Sequence, residues 1–371
     1  MSHLDDLYAM HLPDPRLYPR VDPKHPIIRT AMALLTEADA ARQPERRLAL
    51  LTEINRGIED DAALLETALA NAPSQQVYEL INQSIETGVR GSGNRWALPF
   101  AIPVILVAGV KGKASLLGTL GNIEAIKDLL TSHGVFNRDA RIYLSPKLIA
   151  GKVFDEVGPQ ALRRWTRELI NDPGAAFVHQ PAAPIEVGGD GVFLRYIVGF
   201  AEVIDTCPNP VHFGGPVGAW GMPLTKLLGD ALKKDGVTLF AIPRQPNSWL
   251  AARHVGHFAR HELHFQFFAS NIIRKIRQSA ETPVAVMSAH PQNELRFTLS
   301  AAGNSELWEG FVWPLDPLDS VELIQQNASA LLRECQIDDI RVLTEVQPAF
   351  KDDLPYFPTA HDTTANRQGQ P

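Results

Sequence analysis

Four histidines, His254, His257, His261 and His264, recur three or four residues apart in the stretch Arg253-His-Val-Gly-His-Phe-Ala-Arg-His-Glu-Leu-His264. On an α-helix, at about 100° per residue, they share an arc of about 80°. Side chains at these spacings are neighbours, and neutral imidazole is a ligand for zinc, nickel, copper or iron. The pattern names a candidate site for a divalent transition metal, with activation of water or binding of oxygenated substrates as its chemistry. Glu262 projects about 100° or more from most of that arc, so it is poorly placed to share the ion. Phe258, Ala259 and Arg260 stand between His257 and His261, so the glutamate base of a zinc-protease HExxH helix is missing. Glu262, His212 or His290 would assist such a site from elsewhere.

The same helix face carries Leu250, Phe258, Phe265, Phe268, Ile272 and Ile276. A second reading therefore stands beside the first: the histidines belong to a packed helix, hydrogen-bonded to carbonyls or carboxylates, or line a self-association surface.

Three weaker patterns accompany the histidines. The run Val107-Ala-Gly-Val-Lys-Gly-Lys-Ala-Ser115 has the glycines and lysines of a phosphate-cradling loop. Its glycines are only three apart, and Ala114 follows Lys113 where a P-loop needs Ser or Thr, so an ordinary basic turn fits equally well. The passage Val211-His-Phe-Gly-Gly-Pro-Val-Gly-Ala-Trp-Gly-Met-Pro223 reads as a ligand lid or helix-terminal anion site, or else as a loop pinned by Trp220. Basic runs at Arg163, Arg164 and Arg167, and at Arg274, Lys275 and Arg277, read as solvated helix faces, with Trp165 beneath arginine stems. No GxSxG elbow, dinucleotide GxGxxG or kinase motif set is present.

The elements that must position these residues follow from periodicity. Residues 1–25 hold several prolines without period and read as an extended arm. Apolar spacings of three and four over 26–92 predict a helical bundle, with Ser74 capping its last helix. Residues 101–108 are β-branched and apolar, the pattern of a strand covered on both faces. Helices are expected at about 121–132, 159–171, 223–234, 247–278 and 318–335. Strands are expected at 237–242, 283–288, 294–301, 306–313 and 340–346. Gly188-Gly-Asp-Gly191 reads as the turn of a hairpin joining 183–187 to 192–204. The expected fold class is α/β in the mixed α+β sense: a helical N-terminal segment, then a mixed sheet flanked by helices over 97–347, then a disordered tail over 348–371.

Composition narrows the function. Thirty-five basic residues against 42 acidic ones give a formal charge of −7, which disfavours nucleic acid as a partner. Two cysteines, Cys207 and Cys335, write neither a disulfide framework nor a thiolate zinc site. The apolar stretch 97–110 carries Pro99 and Pro103 and is too short for a membrane span. A secretory signal is not visible, so the expected location is the cytoplasm. Two functional classes stay open: a non-catalytic assembly, adaptor or regulatory protein that binds other proteins or a second copy of itself, and a metal-dependent enzyme built on the helix at 247–278.

Overall fold

A computed structural model describes residues 25–90, 96–116, 118–172, 184–291 and 293–365. Residues 1–24 of the expected arm lie outside the described residues. The fold is mixed α/β, with helices preceding the first sheet. The chain forms two compact units, one of Lys24–Leu69 with Leu80–Arg260, the other containing Ala70–Glu79 and the chain from His261 onward.

Among the described residues four helices come first: α1 (Pro26–Leu35), α2 (Gln43–Asp60), α3 (Ala62–Ala70) and α4 (Gln75–Arg90). Ser74 Oγ accepts from the Val77 N–H at 3.3 Å, the cap that the sequence indicates at the start of α4. The sheet of the larger unit uses β1 (Trp96–Leu116), β2 (Ile142–Ala150), β3 (Ile185–Val203), β4 (Val237–Pro243) and the short β5 (Asn247–Ser248). Its order is β2-β3-β1-β4, with β5 also on β1, and every pair is antiparallel. Between the strands lie α5 (Ile123–Ser132), α6 (Gly151–Asp155), α7 (Pro159–Asn171) and α8 (Gly221–Ala231). Residues 97–106 of β1 are buried without interruption, as a strand covered on both faces must be. One side packs Phe100, Ile102, Val104 and Leu106 with Ile197, Leu224 and Leu228.

The expected hairpin at 183–204 is instead one continuous strand. Residues 188–191 run through β3 opposite residues 108–113 of β1, where the register shifts between Val110 and Lys113 and Gly112 takes φ 104°. A glycine run permits a turn or a bulge, and the partner strand decides which. The same pairing removes the phosphate-loop reading of 107–115: those residues lie within β1.

The long helix α9 (Trp249–Gln278) follows. The second sheet uses β6 (Pro283–His290), β7 (Glu294–Ala301), β8 (Trp308–Pro314) and, after α10 (Val321–Glu334), β9 (Ile340–Leu343). Its order is β8-β7-β6-β9, and β6 and β9 run parallel, so this sheet is mixed. Phe265 from the second half of α9 meets Phe297 at 4.5 Å and Phe311 at 5.7 Å between ring centroids.

The tail departs from expectation. Residues 350–365 form β10 (Phe350–Lys351), β11 (Leu354–Pro355) and α11 (Ala360–Ala365), while 366–371 lie outside the described residues. Asp352 and Asp353 turn the hairpin with φ 51° and 62°, the left-handed pair that a type I′ turn requires. The anchor is Arg296 on β7, only 2 % exposed, whose Nη1 donates at 2.7 Å to the carbonyls of both Ala349 and Tyr356. Glu294 holds the other side of the guanidinium at 2.9 Å, and Phe357 lies 5.3 Å beneath it.

Candidate functional site

Along α9, Arg253, Gly256, His257 and Arg260 recur at steps of three, one and three, so they form one face. Gly256 sets the depth of packing there. A Cβ at this position would lie 2.5 Å from Tyr196 Oη and 3.0 Å from Leu194 Cδ1, so glycine is what admits the tyrosine. Tyr196 is buried, and its hydroxyl donates to the Arg253 carbonyl at 3.4 Å. Its phenol is pushed above the ordinary tyrosine range, first by burial and then by the Asp155 charge, with Arg253 and Arg260 pulling the other way.

Phe154 stacks on Tyr196 with ring centroids 3.8 Å apart and on Trp249 at 4.2 Å, and Trp165 meets Trp249 edge-on at 6.1 Å. This aromatic column fixes α6, whose last residue, Asp155, reaches His257. The imidazole Nε2 lies 2.9 Å from both carboxylate oxygens. Carboxylate oxygens only accept, so Nε2 carries the proton and the tautomer is set. Next to Tyr196 on β3, Arg195 donates from Nη1 to its neighbour's carbonyl at 2.9 Å and lies over the Phe193 ring.

The four histidines of the sequence motif do lie on one helix. His254 has the Phe258 ring at 6.3 Å, His257 has Asp155, and His261 has the Trp313 ring at 5.9 Å. His264 is half-buried, as is Glu262. At 1.5 Å of rise per residue, His254 and His264 are about 15 Å apart along the axis, so one ion does not reach all four. Among the described residues, no three His, Cys, Asp or Glu side chains group in a way that could hold a metal ion.

The remaining sequence candidates also have definite places. His212 lines an open cavity of about 400 Å³ with Thr131, Ser132, Asn137, Arg138 and Asn209. Trp220 is buried in the core beneath that loop, as the pinned-loop reading requires. On α7, Arg163 and Arg167 share Glu59 at 3.0 and 3.4 Å, and Trp165 is buried. Lys275 pairs with Glu309 at 2.6 Å, and Arg277 donates to the Cys335 carbonyl at 2.6 Å.

His290 lies in the second sheet, fully buried beside Ser288. Its Nδ1 faces the Pro348 carbonyl at 2.9 Å, so that nitrogen carries the proton and Nε2 accepts from the Ser288 hydroxyl at 3.0 Å. The order hydroxyl, imidazole, acceptor is that of an activated nucleophile, yet both residues are 0 % exposed, and the pair secures the C-terminal segment to β6.

Asp155, Tyr196, Arg195, Arg253, Gly256 and Arg260 belong to no motif in the sequence. The 253-256-257-260 spacing is legible in the sequence as one helix face, interleaved with the histidines. Asp155 carries no such signal, because its partner is distant in the chain. No protein-family model matches this chain, and no curated protein or solved structure matches it. No helix among the described residues is long and apolar enough to cross a membrane.

Proposed function

We propose that this chain is a non-catalytic assembly or regulatory protein that works through protein–protein contacts, with a second copy of itself as the partner. The observation that carries this reading is the C-terminal hairpin of β10 and β11. It presents Phe350 at 53 % and Leu354 at 69 % exposure, one on each strand, while a buried arginine clamps its base. Holding an apolar element rigid removes part of the ordering cost of binding, and rigid apolar anchors carry most of the energy at an interface.

The hairpin also suits a symmetric contact, in which the same patch on two copies meets itself. Sedimentation velocity over a concentration series tests this. We expect the wild type to shift from monomer to dimer, and the Phe350→Ser, Leu354→Ser double variant to remain monomeric with unchanged circular dichroism. A wild type that stays monomeric at every concentration, or a variant that dimerises equally well, would remove the support for this reading.

A further inference from the structure

On β7, Arg296, Thr298 and Ser300 alternate with Phe297 and Leu299, so the strand carries one polar and one apolar face. The apolar face meets Phe265. Ser288 and His290 of β6 lie on the polar face, in register with Arg296 and Glu294. Antiparallel strands of this pattern commonly turn their polar side to water. Here Ser288, His290, Arg296, Thr298 and Ser300 are all at most 2 % exposed, with the C-terminal segment docked on them.

The docking is made largely to main chain. The carbonyls of Pro348, Ala349 and Tyr356 accept from His290 and Arg296, and the Ala360 N–H donates to Ser300 Oγ at 3.2 Å. The Gln347 N–H donates to the Ala289 carbonyl at 2.9 Å. The Phe357 ring fills the space that a Cβ on Gly310 of β8 would take. None of these contacts uses the link, residues 344–346, so the same segment of a second copy satisfies the face equally well. Docking also has a cost. The Thr298 hydroxyl, between Arg296 and Ser300, is buried without a hydrogen-bond partner among the described residues, and release of the segment admits water to it.

We propose that two copies exchange this segment, residues 347–365 of each docking on β6 and β7 of the other. Exchange rests on the assembly reading above and specifies its geometry. Swapping an identical element is a low-cost route to a dimer, because each contact inside a copy is remade between copies. The new contact it adds lies where the two links cross. Val342, Val346, Phe350 and Leu354, each at least 44 % exposed, all fall within residues 342–354, on and beside the link. From Leu343 to Gln347 the chain spans at most about 14 Å, so the two copies are held close at the crossing. Contact through the hairpin tips alone leaves no use for Val342 and Val346, whereas crossing links bring both into the seam.

The test is a cysteine pair, Ser300→Cys with Ala360→Cys, in the full chain carrying Cys335→Ser to remove the half-buried native thiol. The protein is oxidised at a concentration where the wild type sediments as a dimer, then unfolded without reductant. A covalent dimer that reductant separates is expected. A disulfide closed within one chain, from protein that sediments as a dimer, would overturn exchange and leave the assembly reading standing. A wild type that never dimerises removes both.

Dissociation kinetics of the wild type decide the matter if the pair resists oxidation. An exchanged dimer separates only as fast as its segments leave their faces. After dilution it should decay no faster than the amides of residues 347–360 exchange with deuterium, and Arg296→Lys should speed both at least about tenfold. Dimers that fall apart while those amides stay protected would overturn the proposal.

Discussion

His257 Nε2 is equidistant, at 2.9 Å, from the two carboxylate oxygens of Asp155, a residue 102 positions earlier in the chain. Both side chains are about one-third exposed, so water weakens the contact without abolishing it. Asp155→Asn should destabilise the protein by about 1 kcal/mol, below the full value of a buried charge-assisted bond. His257→Ala should cost a similar amount, and the double variant less than the sum, because the two losses are one interaction. Urea denaturation of the four proteins reads the coupling.

Gly256→Ala separates helix propensity from packing. In an open helix, alanine in place of glycine would stabilise by about 1 kcal/mol. Here the new methyl would collide with the Tyr196 hydroxyl and with Leu194, so a net loss of about 1–3 kcal/mol is expected. Adding Tyr196→Phe should recover part of the loss by deleting the nearest atom. A Gly256→Ala protein with an unchanged denaturation midpoint would contradict the packing described.

His290 sets an acid limit on the second sheet. Burial, and then the Arg296 charge, push its imidazole down to about 4, against about 6.5 in the unfolded chain. The folded state therefore favours neutral imidazole, and the unfolded state takes up the proton first. Stability is fully present above about pH 6.5 and falls as pH drops towards 4, by on the order of 3 kcal/mol. His290→Gln should be less stable at pH 7.5 but flatter between pH 6.5 and 4. Urea midpoints against pH, for both proteins, check the slope.

Arg296→Met should free the C-terminal hairpin. Two carbonyls lose their donor and Glu294 loses its partner, at an expected cost of about 3 kcal/mol. Arg296→Lys should rescue little, because one ammonium does not reproduce a fork that serves two carbonyls and a carboxylate. Hydrogen exchange over 348–365 is the direct readout. Exchange that stays slow in both variants would show that the hairpin is held by other contacts.

Much of the fold was legible because its signals are local. The buried run of β1, the long period of α9 and the consecutive strands β6 to β8 are written in apolar spacing that neighbouring residues alone produce. The failures share a cause in partners far away. Glycines 188–191 form a strand because residues 108–113 lie opposite them, and the polar tail orders because Arg296 on β7 reaches its carbonyls. At the candidate site the histidines are visible, but composition gives no hint that His257 answers to Asp155. Asp352 and Asp353 in left-handed conformations were hidden for another reason, since Asn-Gly or Asp-Gly is the usual signature of such a turn.

The pairing of β1 with β3 also sets a timetable for synthesis. Their innermost pair, Leu116 with Ile185, closes a loop of about 70 residues, and the pairs beyond it close longer ones. At about 5–20 residues per second, a ribosome leaves β1 without its main partner for about 4–14 seconds. Throughout that interval residues 97–106, a run buried without interruption in the fold, are complete but unpaired. The nascent protein is thus most vulnerable to aggregation before β3 emerges, and a chaperone that covers residues 96–116 would act in that window.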